Sequence, residues 1–150
     1  MCDIKNPDVP FLLEMNEVIP GRRIKIFGCV FHSDHFLVDF RCGPRKTLYD
    51  ENLQLRLNCV FMHRQLSFNE VIGFMKSNFM EYQIPLPIKD CGKFKMEIIF
   101  FEKGIAVFVN NVKICAIPYK GLELSKMTHL SVRGEVNLLR VFTLDDPRVL

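Results

Sequence analysis

The sequence predicts an all-β domain, a sandwich or barrel of short antiparallel strands, and three observations predict it. Short runs rich in Val, Ile, Phe and Leu recur along the chain. Turn residues separate them about every eight to twelve positions, the spacing of strand and turn in such folds. Two of the runs alternate apolar and polar residues with a period of two, as a strand with one buried face must.

The strands fall in order. Ile24 to Val30, His35 to Cys42 and Leu53 to Phe61 come first, bounded by Pro20-Gly21 and Gly43-Pro44. Lys93 to Phe101, Ile105 to Val109, Val112 to Ile117, His129 to Arg133 and Val136 to Phe142 follow, punctuated by Cys91-Gly92, Lys103-Gly104, Pro118 to Gly121 and Gly134. Asn110-Asn111 joins two apolar runs, and asparagine tolerates positive φ, so a tight hairpin is expected there. In the second strand Phe36, Val38 and Phe40 should face the core, with His35, Leu37, Asp39 and Arg41 outward. In the third, Leu55, Leu57, Cys59 and Phe61 should face in, with Arg56, Asn58 and Val60 outward. An outward polar row of this kind is ordinarily a solvated sheet face. Residues 71–83 carry large apolar side chains without clean alternation, which fits a half-buried strand with a loop or an exposed apolar interaction patch.

With 150 residues, 49% hydrophobic and 25% charged, the chain suits one globular domain with one core and not a disordered or repeat protein. Its formal net charge is +3, and its densest basic stretches are Arg22-Arg23-Ile24-Lys25 and Arg45-Lys46. These read as solvated strand ends and not as a nucleic-acid footprint, which needs a clustered stripe. No run approaches the length needed to cross a bilayer, and the first residues lack a signal-peptide layout. The expected location is therefore the cytoplasm, with the nucleus or export without a signal peptide as alternatives. The six cysteines are irregularly spaced, with no Cys-x-x-Cys pair. Cys29, Cys59 and Cys115 sit in apolar runs and read as reduced core residues.

A search for chemistry finds no nucleophile elbow, no glycine-rich phosphate loop and no His-Glu-x-x-His. His32 and His35 have no carboxylate or cysteine at a useful spacing to complete a catalytic or metal set. The expectation is a binding protein: no enzyme, no metal, no cofactor.

The segment Leu53-Gln-Leu-Arg-Leu-Asn-Cys-Val-Phe61 resembles the signature strand of the galectins, whose pattern is His-x-Asn-x-Arg. Ile24-Lys-Ile-Phe-Gly28, Phe36-Leu-Val-Asp-Phe40, Phe94-Lys-Met-Glu-Ile98, Ile105 to Asn110 and Leu130 to Val136 resemble the same family in order and spacing. The resemblance implies a two-sheet antiparallel sandwich of the concanavalin-like jelly-roll type over residues 11–142, between an N-terminal arm of residues 1–10 and a C-terminal tail of residues 143–150. It also implies a sugar-binding groove across one outer face.

Galectins hold a β-galactoside with His, Asn and Arg side chains, a second Asn, a Trp under the sugar ring, and a nearby Glu and Arg. Forked donors and an aromatic plate suit a ligand with flat C–H faces and a fixed array of hydroxyls. By resemblance Asn58 matches the first Asn and Asn69 the second. Arg56 stands where the family has His, and Val60 where it has Arg. The chain contains no Trp, and no arginine lies between Arg64 and Arg133; Phe74, Phe79 or Tyr82 would have to serve as the plate. The candidate sugar-binding residues are Arg56, Asn58, Asn69, His35 and Asp39, with weak or absent lactose binding expected. Asp39 and Arg56 could instead simply pair with each other. The competing reading is a galectin-type fold that has lost sugar binding and serves a protein partner or a homodimer.

Overall fold

The computed structural model describes residues 2–30, 34–44, 53–62, 65–72, 80–84, 92–146 and 148, with side chains given for these apart from 34, 62, 65–72 and 80–84. Twelve strands are described: β1 (Cys2–Lys5), β2 (Phe11–Glu14), β3 (Arg22–Cys29), β4 (Asp34–Arg41), β5 (Leu53–Met62), β6 (Gln65–Ile72), β7 (Met80–Ile84), β8 (Lys93–Phe100), β9 (Gly104–Val109), β10 (Val112–Pro118), β11 (His129–Gly134) and β12 (Asn137–Asp145). A 3-10 turn spans Leu124–Lys126.

The strands form two antiparallel six-stranded sheets. The first runs β1-β12-β3-β8-β9-β10 and the second β2-β11-β4-β5-β6-β7. The expected sandwich is the fold, and each sequence-derived strand appears within a few residues of its expected limits. Three strands had no counterpart in the sequence reading: β1, β2 and, but for its last two residues, β6. Residues 2–5, expected to be an arm, form the edge strand β1 against β12, and residues 11–14 form β2 against β11. The chain past 142 continues in the sheet, since β12 runs through Asp145.

The two sheets close on a core whose residues are those that alternation selects. Phe36, Val38, Phe40, Leu55, Leu57 and Cys59 are all buried, with Phe61 close behind. They meet Phe94, Met96, Ile98 and Phe100 from the other sheet. Two aromatic pairs bridge the layers: Phe36 stacks on Phe94 at 5.5 Å between ring centres, and Phe40 meets Phe100 edge-on at the same separation. Each pair adds about 0.5–1.5 kcal/mol to the hydrophobic gain of burying its rings. The fit is tight, because a Cβ on Gly28 would lie 2.6 Å from the Phe94 ring.

The hairpin expected at Asn110-Asn111 is present: both residues have positive φ, 49° and 68°, the pair of left-handed residues that a two-residue primed turn needs. Residues 71–83 are strand at both ends, the last residues of β6 and most of β7; residues 73–79 and their Phe74 and Phe79 lie outside the described residues. So do His32, Arg45, Lys46, Arg64 and Cys91, and the Tyr82 side chain.

Candidate functional site

The candidate site is the outer face of the second sheet, and register decides which residues share it. Directly opposed residues in antiparallel strands project to the same side. Across β4 and β5, His35 lies opposite Val60, Leu37 opposite Asn58, and Asp39 opposite Arg56. On the far side of β4, β11 sets His129 opposite Arg41, Ser131 opposite Asp39 and Arg133 opposite Leu37. On the far side of β5, β6 sets Asn69 opposite Asn58 and Ser67 opposite Val60. The five candidate residues thus occupy three adjacent strands on one face, by backbone register for Asn69 and by side chain for the other four.

The face is not the wet row that its polarity suggests. Asp39 points outward yet has no solvent exposure, and Arg41 is 1% exposed. A buried carboxylate is costly unless its charge is matched, and arginines on two neighbouring strands match this one. Arg56 donates through Nε to Oδ1 at 2.8 Å and through a terminal nitrogen to Oδ2 at 3.0 Å. Arg133 reaches Oδ2 from the other flank at 3.3 Å. The pairing of Asp39 with Arg56, foreseen as the plainer alternative, is therefore the arrangement found. Its consequence for binding is that the Arg56 fork is committed to Asp39, and a sugar could use only the nitrogen positions left over.

One strand pair along, His35 and Asn58 contact each other through Nε2 and Oδ1. An amide oxygen can only accept, so the imidazole must carry its proton on Nε2 and donate it. Asn58 keeps the two donors of its amide nitrogen, which no acceptor among the described residues takes. His35 is exposed while Asn58 and Val60 are half-buried, so this corner is the open end of the face and the Asp39 cluster its sealed floor.

Sequence reading missed the part played by β11. Arg133, Ser131 and His129 alternate with the buried Leu130 and Val132, so the period-two pattern that placed β4 and β5 was available here too. Their closeness to Asp39 was not, because Arg133 is 94 residues away along the chain. The Arg133 Nε is buried without a partner among the described residues. With Arg41 and Arg56 it gives the face three guanidinium groups among the described side chains, against the carboxylates of Asp39 and Glu14, and register adds the Glu81 position of β7 to the same face. No cluster of metal-ligating side chains occurs among the described residues.

The cysteines add nothing to this face. Cys29, Cys59 and Cys115 are buried, as expected of cysteines set in apolar runs. Burial, reinforced by Asp39, pushes the Cys59 thiol pKa well up.

The comparisons agree with this architecture. The family model described as galactoside-binding lectin matches residues 10–143. Among solved structures, sheep galectin-11 in complex with glycerol superposes with a TM-score of 0.73 at 21% identity, covering 90% of this chain and 97% of that one. The Caenorhabditis elegans galectin LEC-6 gives 0.69 at 16% identity, with 95% of each chain covered. A double variant of human galectin-16 gives 0.69 at 21% identity, covering 95% and 99%. No curated protein sequence matches.

Proposed function

Because this chain belongs to the galactoside-binding lectin family, we propose that it is a carbohydrate-binding module whose groove has been rebuilt away from ordinary galactoside recognition. The observation that carries this reading is the Asp39 cluster. Arg56 occupies the place of the family's histidine, and two of its nitrogens are spent on a buried carboxylate, so the position serves as a scaffold where an imidazole would offer the ligand both a donor and an acceptor. Val60 offers no forked donor at all.

What remains for a ligand is the open corner around Asn58, whose amide donors no acceptor among the described residues takes, and the Asn69 position beside it on β6. Each buried hydroxyl left without a partner costs about 1–3 kcal/mol, so losing the imidazole acceptor and the Val60 fork weakens lactose by several powers of ten. A glycan that presents an acceptor to Asn58, and that tolerates or exploits the arginine-rich floor, fits better. The role is recognition, as for the lectins whose family model the chain matches.

A glycan array with the wild-type protein and Asn58→Ala tests the reading. Saturable binding to one glycan class, lost in the variant, supports it. Binding that survives Asn58→Ala places the ligand elsewhere, and no glycan bound at all favours the protein-contact alternative.

A further inference from the structure

The first sheet also has an outer face, and register gathers onto it cations that the sequence scatters. Lys5, Arg140, Phe27 and Lys95 form one row across β1, β12, β3 and β8. The next row holds Asp3, Phe142, Lys25, Glu97, Phe108 and Lys113. Arg23 on β3 and Lys93 on β8 extend the face at either end. That makes seven cations against Asp3, Glu97 and, at the edge, Asp146, an excess of four. The entire chain carries only +3, so this one face holds more positive charge than the molecule's net.

Several of these cations are fixed in place. The Arg140 guanidinium lies 5.0 Å over the Phe142 ring and 6.0 Å from the Phe27 ring centre, and it grips Asp3 with two contacts of 2.8 Å. Lys95 Nζ donates to Asn111 Oδ1 at 2.6 Å. Glu97 is shared: Arg23 takes one oxygen at 2.7 Å and Lys25 stands 3.7 Å from it. Charges held this way lose less conformational entropy when an anion arrives. Strands about 4.8 Å apart set Lys5 and Arg140 one spacing apart, and Arg140 and Lys95 two.

We propose that this face binds an acidic polysaccharide, a sulfated or carboxylated sugar polymer that lies across the strands. The chemistry separates it from other polyanions. Phe27 and Phe142 lie under Arg140, which leaves Phe108 at the far end of the second row as the one described aromatic ring of these two rows with no cation over it, too few for successive nucleobases to stack on. The exposed large apolar residues among those described, Leu12, Ile19 and Val112, do not form an anchor on this face for a lipid surface. A flat lattice of extended cations suits pendant anionic groups at intervals along a polymer.

The test is heparin binding by the full chain at low ionic strength and its decline with salt, as for any interaction driven by release of bound counterions. Lys25→Gln/Lys95→Gln should weaken binding at least tenfold, whereas Lys120→Gln/Lys126→Gln, which removes the same charge elsewhere, should leave it unchanged, as should Asn58→Ala on the opposite sheet. Absence of binding at low salt overturns the proposal, and so does equal weakening by both double variants. Loss on Asn58→Ala would assign heparin to the other face, and duplex DNA bound as tightly as heparin would make the surface a general polyanion site; either result also overturns it.

Discussion

Asp39 is fully buried on the outward side of β4, and Arg56, directly opposite on β5, grips both of its oxygens at 2.8 and 3.0 Å. The pair turns a strand position that would otherwise be wet into the rigid floor of the candidate groove. Its energetics differ from those of an exposed ion pair, because removing one partner strands a charge that solvent cannot reach.

Asp39→Asn should therefore destabilise the protein by about 2–4 kcal/mol, since it leaves Arg56 and Arg133 facing each other without a counter-charge. Arg56→Lys should cost less, about 1–2 kcal/mol, because an ammonium keeps the charge but not the two-pronged geometry. Urea unfolding monitored by fluorescence or circular dichroism measures both. Equal stability of all three proteins would mean that the pair is only a surface contact.

Arg56→His/Val60→Arg should move two properties in opposite directions. Lactose affinity by calorimetry should rise at least about tenfold as an imidazole and a forked donor return to the groove. Stability should fall as Asp39 loses its main partner. A gain in affinity with no loss of stability would contradict the role given to Arg56.

Asp146 anchors the end of β12: the side-chain and backbone contacts of Arg148 hold its carboxyl well below the usual range, with Arg23 assisting. A carboxyl whose pKa is depressed on folding adds stability above its unfolded value, about 3.9, and loses that contribution as the pH falls toward the folded one. Asp146→Asn should lower the melting temperature at neutral pH and match the wild type in strong acid. A constant difference at every pH would contradict the linkage.

Tyr119 donates its hydroxyl to the Phe101 carbonyl, and burial pushes its pKa up to about 12. Of the three tyrosines in the chain, this one should ionise last in a spectrophotometric titration. The late step should vanish in Tyr119→Phe. A wild-type titration complete near pH 10 would contradict the assignment.

How much of this was legible in the sequence depended on range. Phe36, Val38, Phe40, Leu55, Leu57 and Cys59 declared their face by local alternation, and Asn110-Asn111 declared its turn by backbone chemistry. Asp39 and Arg41 obeyed the same alternation but not its usual corollary. They face outward and are buried, because what covers Asp39 includes Arg133 from β11, far away in the chain. The N-terminal strands β1 and β2 carry four residues each, too few for a period to announce itself. The basic face of the first sheet was hidden for a related reason: Lys5, Lys25, Lys95 and Arg140 are isolated in sequence and become neighbours only through strand register.

The central claim is that the galactoside groove of the family persists here with altered chemistry around Asn58. Its most direct test is the crystal structure of the protein soaked with the best ligand from a glycan array. A sugar is expected on the second sheet, accepting a hydrogen bond from the Asn58 amide while the Asp39–Arg56 pair stays intact beneath it. A sugar bound by Arg56 released from Asp39, or bound away from this sheet, would contradict it.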